Sequence, residues 1–374
     1  MNTIEQLYKE WLSLQPLNPE DQKRLDKKFM LEFNYNSNHL EGNTLTYGQT
    51  KLLFMFGETT GNARLRDYEE MKAHNVGLEL MKMAAKDMER PLTENFIREL
   101  NKTILVENFW KATKTPDGTP TRYKINVGAY KTRPNSVITV SGDLFDYASP
   151  EETPALMTDL VRWYNSMETR LIASSQSPLT LIELAALFHY RYIRIHPFED
   201  GNGRIARLLV NYVLLRNGFP MVVIKTDDKT NYLKMLHLCD IETGVLPFEG
   251  ARADIKQITP FVEYLTDIIA ETIRNNIKYL KEQKGGTNNS VWWYNGNEIS
   301  ITNEKRQLLL ELLLSNPQRT VRELTELLSI NKSAVQKHLD FLKKNDYIIR
   351  QGGTKGKWIV NIENSVLQNG GTNE

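Results

Sequence analysis

The chain has 374 residues, 40% hydrophobic and 25% charged, with 47 Lys and Arg against 46 Asp and Glu. That length exceeds one typical core and implies two or three domains, while the near-neutral balance excludes a polycation or an acidic solvating tail as the main theme. One cysteine, Cys239, excludes a disulfide framework and a cysteine-rich zinc site and suits a reducing compartment.

No apolar run approaches the ~20 residues of a membrane span, and the first residues carry no signal-peptide pattern. The expectation is a cytoplasmic protein with no membrane association. Apolar spacing predicts helices over 20–34, 63–89 and 93–107. Just after the first of these lies Ser37-Asn-His-Leu-Glu41-Gly42-Asn43. Ser37 and Glu41, four residues apart, share one helix face, and Gly42 ends the helix. Taken alone, the pattern is weak, and a solvated surface glutamate is the commoner reading.

Tyr123–Val140 alternates, is rich in β-branched and aromatic residues, and turns at Arg133-Pro134-Asn135-Ser136, which predicts a β-hairpin inserted in a helical domain. Helices follow over 153–171, 179–195, 204–217 and 258–280. The fold class expected is therefore mainly α with an inserted hairpin.

Between two of these helices runs His196-Pro-Phe-Glu-Asp-Gly-Asn-Gly-Arg-Ile-Ala-Arg207. Pro197 helps to end the upstream helix, and Gly201 and Gly203 let the backbone approach a ligand. The loop opens a helix N-terminus, where free amides and the macrodipole favour an anion. Arg204 and Arg207, three residues apart, can clamp one ligand. Asp200 offers a hard oxygen for Mg²⁺ shared with phosphates, and His196 can accept a proton at neutral pH. Together these residues make a phosphate-transfer site, matching neither the Walker pattern GxxxxGKS/T nor the dinucleotide pattern GxGxxG.

After Lys281–Ser290, a Gly- and Asn-rich linker, Val291-Trp-Trp-Tyr294 is too apolar for a free tether and is expected to dock one domain on the other. Residues 301–360 carry eleven Lys and Arg against six Asp and Glu, so the rest of the chain is slightly acidic. Helices over Asn303–Ser315, Thr320–Leu328 and Lys332–Lys344, then short strands Tyr347–Arg350 and Lys357–Val360 around a Gly-rich turn, resemble a winged-helix domain. Lys332, Ser333, Gln336, Lys337, His338, Lys343 and Lys344, with Lys355 and Lys357 on the wing, suit DNA contacts. The same surface suits protein contacts, and both stay open. Boundaries are set at 1–110 (N-terminal helices, including one at 30–42), 111–280 (helical core, with the hairpin at 123–143), 281–298 (linker), 299–360 (winged helix) and 361–374 (flexible tail).

HPFEDGNGRIAR resembles the Fic-domain signature HPFx(D/E)GNGRxxR at every specified position, and the surrounding elements follow in the expected order over roughly residues 30–280. The resemblance implies a protein adenylyltransferase that moves AMP from ATP to a Ser, Thr or Tyr hydroxyl of a target protein, which could be the chain itself. It implies His196 as general base, Asp200 as Mg²⁺ ligand, Asn202 at the α-phosphate and the Gly201–Gly203 amides as an anion hole. Arg204 and Arg207 would engage the β- and γ-phosphates. Gly203 favours AMP transfer, because phosphorylating relatives carry Lys there.

The hairpin resembles the family's flap, whose Val140, Ser141, Gly142 and Asp143 would pair with the target backbone. Tyr232 and Asp240 fall near the adenine side, with a buried core tyrosine an equal reading of Tyr232. Ser37–Gly42 resembles the inhibitory motif of the family's second class, which implies Glu41 paired with Arg207 in the γ-phosphate site. Removal of AMP, homodimerisation and DNA contact are left open. The alternative function is a winged-helix DNA-binding regulator with a nucleotide-sensing Fic domain. A metal-dependent hydrolase is disfavoured because His196 and Asp200 have no companion ligands at metal spacing.

Overall fold

The computed structural model describes residues 3–59, 61–114, 118–138, 144–172, 177–284, 291–294, 297–301, 303–328, 330–352 and 356–364. It is mainly helical with small antiparallel strand pairs, and divides into units at residues 1–277 and 278–374.

The first unit begins with α1 (Ile4–Ser13), closed at its start by a Thr3–Gln6 capping box. Next come α2 (Pro19–His39), capped by Asn18 with Pro19 in the first turn, and α3 (Tyr47–Phe56), which has its own Thr46–Gln49 capping box. Two longer helices follow, α4 (Leu65–Lys86) and α5 (Glu94–Leu105).

Strands β1 (Phe109–Lys114) and β2 (Pro120–Ile125) pair antiparallel, with Phe109 opposite Ile125. Strands β3 (Val137–Ile138) and β4 (Leu144–Phe145) form a second pair. The hairpin expected to turn at Arg133–Ser136 is thus two hairpins. Strand β2 finds its partner upstream, and Gly118, just before it, takes φ +85°.

Helices α6 (Thr153–Ile172), α7 (Pro178–Ile195) and α8 (Asn202–Arg216) complete the centre, followed by α9 (Lys229–Thr243), α10 (Pro247–Ala251) and α11 (Thr259–Lys284). Helix α8 packs against α2, α4, α5 and α7 and is buried on nearly every face. Its polar residues survive there because each is partnered. Arg216 donates to Glu168 at 2.8 Å and to the Met88 carbonyl at 3.1 Å, and Asn211 exchanges two hydrogen bonds with the backbone of Val222.

The second unit contains β5 (Val291–Tyr294), β6 (Asn297–Ser300), α12 (Glu304–Ser315), α13 (Val321–Leu328), α14 (Lys332–Lys344), β7 (Ile348–Gln351), β8 (Lys357–Val360) and β9 (Glu363–Asn364). Three helices and the β7–β8 wing reproduce the winged-helix grammar of the sequence. Val291–Tyr294 is the middle strand of a β6-β5-β9 sheet in this unit, so the span expected as a linker over 281–298 is partly sheet. Residues 361–364, expected within the tail, belong to this unit, and the rest of that span lies outside the described residues. Ile362 is buried and β9 pairs with β5, which apolar burial and ladder bonds make favourable.

Two fully buried histidines lie in the first unit. His74 shares a 2.7 Å hydrogen bond between its Nδ1 and the side-chain Oδ1 of Asn34, and His189 shares a 2.9 Å hydrogen bond with Tyr232 Oη. Burial pushes His74 well below its ordinary value and His189 down to about 3. Both stay neutral in the fold while the unfolded chain protonates near pH ~6.5, so stability falls as the pH drops below that point. Each excluded proton contributes a slope of about 1.4 kcal/mol per pH unit. Urea unfolding at pH 7 and pH 5 is expected to show this loss, with a shallower slope for His189→Gln.

Candidate active site

The loop between α7 and α8 carries the chemistry. Gly201 caps α8 at φ +82°, and a Cβ there would press on Asn101, Ile104 and Leu105 of α5, so only glycine fits this turn at low cost. Asn202 closes the loop on itself, accepting from the Phe198 amide at 3.0 Å and donating to the Phe198 carbonyl at 2.7 Å. Phe198 is buried beside Tyr130 and anchors the turn.

His196 sits at φ +51°, a left-handed conformation that costs a non-glycine residue roughly 1–3 kcal/mol. Its ring stacks on Tyr147 at 4.0 Å. Burial first, then the nearby Lys131 charge, push the imidazole down to about 4, against the opposing pull of Glu41 and Asp200. At neutral pH the ring is therefore uncharged and able to accept a proton.

An alternating charge ladder runs from α4 to β1. Arg66 donates to Glu70 at 2.7 Å, Arg204 to Glu70 at 2.8 Å and to Asp200 at 3.4 Å, and Lys111 to Asp200 at 2.9 Å. The Asp200 carboxyl also accepts from the Gly201 amide at 2.7 Å. Burial works against its charge, but Lys111 and Arg204 outweigh burial and hold it below the ordinary value.

Arg207, 3% exposed, is held by three bonds. Its Nε donates to Ser37 Oγ at 3.0 Å, and its Nη2 donates to the Ser37 carbonyl at 2.8 Å and to Glu41 Oε1 at 2.7 Å. Burial of Glu41 works against ionisation, and Arg207, with Arg204 beyond it, holds the carboxyl below its ordinary value. A Cβ at Gly203 would fall on the Glu41 carboxylate and against Arg207, so glycine is what lets Glu41 reach the arginine.

Sequence spacing puts Ser37 and Glu41 on one helix. In the structure α2 ends at His39, and Glu41 lies in the turn after it, where the amides of Glu41 and Gly42 bond the carbonyls of Asn38 and His39. Gly42 takes φ +92° there. The turn is pinned by Lys229 donating to the Leu40 carbonyl at 2.8 Å, by Asn43 donating to the Asp67 carbonyl at 2.9 Å, and by Leu45 buried with Leu53, Tyr68 and Met71.

The structure thus gathers His196, Asp200, Gly201, Asn202, Gly203, Arg204 and Arg207 with Ser37, Glu41 and Gly42 in one place. Tyr232 is a core residue, bonded to His189 and packed among Phe261 and Tyr264. Asp240 accepts from Tyr190 at 2.8 Å and from Arg194 at 3.2 Å. Val140, Ser141, Gly142 and Asp143 lie outside the described residues. Lys111, Glu70, Asn101, Lys131, Asn135 and Tyr147 escape sequence reasoning. The alternation of Phe109–Lys114 was the available signal for Lys111, whereas Glu70 and Tyr147 reach the site only through tertiary packing.

Comparison with known proteins adds an independent line. A model of the Fic/DOC family matches residues 91–214, and one described as bacterial regulatory protein, arsR family, matches residues 303–350. A solved Fic domain containing signaling protein from Bacteroides thetaiotaomicron is 62% identical, with a TM-score of 0.68 over 75% of this chain and 97% of that one.

The chain belongs to the Fic/DOC family.

Protein adenylyltransferase fic-1 of Caenorhabditis briggsae is 25% identical over 309 residues, 82% of this chain and 52% of that protein. Protein adenylyltransferase Fic of Nematostella vectensis is 26% identical over 251 residues, 67% and 49% respectively. The chain spans about half the length of these Fic relatives.

Asn202→Ala leaves the buried Phe198 amide without its partner, while the Phe198 carbonyl keeps Asn135 as a donor. An unmet buried group costs ~1–3 kcal/mol, so a loss of that order in chemical denaturation is expected. An unchanged midpoint would show that the loop does not need this clamp.

Proposed function

We propose that this chain is a protein adenylyltransferase that moves AMP from ATP to a Ser, Thr or Tyr hydroxyl and is restrained by its own Glu41. The observation that carries the reading is the helix N-terminus itself. Amides of the first turn of α8, two buried arginines and a neutral imidazole converge there, and both arginines are already bound by internal carboxylates.

The target hydroxyl oxygen attacks the α-phosphorus while its proton passes to the uncharged imidazole of His196. The bond from the α-phosphorus to the bridging oxygen breaks, and pyrophosphate departs with those electrons. Arg204 and Arg207 would engage the β- and γ-phosphates as they gather charge, and fixed donors stabilise that charge without reorganising. Asp200 suits Mg²⁺ as a single carboxylate shared with phosphate oxygens, and no cluster of three His, Cys, Asp or Glu that could hold a metal occurs among the described residues. The ion would supply charge neutralisation when bound, and Lys111 would release Asp200 to it.

Glu41 competes with the γ-phosphate for Arg207. Charge-assisted hydrogen bonds contribute ~1.5–3 kcal/mol, which corresponds to roughly 10–100-fold. Glu41→Gly is therefore expected to raise AMP incorporation by about that factor, read by mass spectrometry of modified protein with ATP and Mg²⁺ saturating. Adding His196→Ala is expected to reduce it ~10²–10⁴-fold, the range for general-base catalysis. Equal labelling by wild type and Glu41→Gly would remove Glu41 as the inhibitor.

A second reading applies to residues 303–350, where the arsR-family match falls. Helix α14 exposes Lys332, Ser333 and Lys337, and Lys343 and Lys344 end it. These residues suit contact with a duplex phosphate backbone. Lys355 lies outside the described residues. If duplex DNA is bound, affinity falls steeply as salt rises, and Lys332→Ala and Lys337→Ala each reduce that slope.

A further inference from the structure

Each of four consecutive carbonyls around the catalytic turn accepts a hydrogen bond from one of two residues, Lys131 and Asn135. Lys131 Nζ donates to Ile195 O at 3.0 Å, and Asn135 Nδ2 donates to His196 O at 3.1 Å. The Lys131 amide donates to Pro197 O at 2.9 Å, and Asn135 Nδ2 reaches Phe198 O at 3.0 Å. Lys131 Nζ also donates to Asn135 Oδ1 at 2.8 Å, which ties the two side chains into one strap. The neighbouring Thr132 fastens the same segment by donating to Glu199 at 3.1 Å.

Such a strap answers a specific difficulty. The last carbonyls of α7 have no helical partner, and His196 breaks the helix in a left-handed conformation that only its surroundings can impose. Solvated side chains do not explain Lys131 either. It is 2% exposed, and its ammonium sits on the negative end of α7.

We propose that Lys131 and Asn135 are positioning residues for His196, holding its backbone in the left-handed turn from one side while Tyr147 stacks on the ring. The proposal rests on the adenylyl-transfer reading only in taking His196 as the base.

The charges facing the imidazole are Lys131 from the strap, Glu41 from the turn after α2 and Asp200 from its own loop. Tyr147, stacked on the ring, is itself pushed up by burial and stays protonated. Lys131 is lowered to about 7 by burial, against the pull of Glu152, so it is charged throughout the acid range where His196 titrates. Its charge opposes protonation of the ring. Loss of that charge therefore raises the His196 pKa and moves the acid limb of the pH–rate profile upward.

Two variants separate charge from structure. Lys131→Gln keeps a donor and loses the charge, whereas Lys131→Arg keeps the charge. The ring titration of His196 is followed by NMR, assigned by its loss in His196→Gln, and AMP incorporation is measured against pH in the Glu41→Gly background. Lys131→Gln is expected to raise both the ring pKa and the acid limb by about one unit or more, and Lys131→Arg to leave both in place. Asn135→Ala is expected to slow transfer without moving the ring pKa. An unmoved ring pKa in Lys131→Gln, or equal shifts in Gln and Arg variants, would overturn the role of Lys131. Should the ring pKa respond as stated while no variant incorporates AMP, the strap stands and the transferase reading falls.

Discussion

Arg207 must have an anion. It lies in a helix buried on nearly all faces and is itself 3% exposed, so a charge left unmet there is costly, although its partner Glu41 keeps 36% of its side-chain surface open. Ser37 satisfies two of its hydrogen bonds but brings no charge. Glu41 brings the charge, at 2.7 Å. Any group that displaces Glu41 has to be an anion too, so the resting contact and the proposed substrate contact are alternatives at one place.

The same logic runs through the rest of the site. Arg204 is paired with Glu70 and Asp200, and Asp200 with Lys111. In the resting chain the positive charge that would face phosphate is thus already balanced from inside. Helix α2, which carries Ser37 and leads to Glu41, buries Asn34, Ser37 and Asn38 beside Leu31 and Phe33. Much of its inward face is hydrogen-bonded rather than greasy, including Asn34 donating to Asn75 at 2.8 Å. Polar contacts can be exchanged for water at little net cost, whereas apolar ones cannot. A helix seated in this way suits a part that must yield its carboxylate.

Much of this was legible in the sequence, for identifiable reasons. The run from His196 to Arg207 places its residues by local chain geometry, so the loop and the helix N-terminus could be read directly. The central helices follow from apolar spacing, and so do the three helices and wing of the second unit. The strand Phe109–Lys114 was hidden because the turn at Arg133–Ser136 looked like the hairpin's own, and with it went Lys111. Glu70, Asn101 and Tyr147 lie far along the chain from the loop they touch, and no local pattern marks such contacts. The buried polarity of Tyr232, bonded to His189, likewise depends on packing that spacing does not encode.

The central claim is that Glu41 and a terminal phosphate compete for Arg207. Calorimetric binding of ATP and of AMP, each to chains with and without Glu41→Gly in a His196→Ala background that prevents turnover, tests it most directly. Loss of Glu41 is expected to tighten ATP binding by roughly 10–100-fold, the equivalent of one charge-assisted hydrogen bond, and to leave AMP unchanged because AMP lacks the terminal phosphates. Equal tightening of both nucleotides, or of neither, would contradict it.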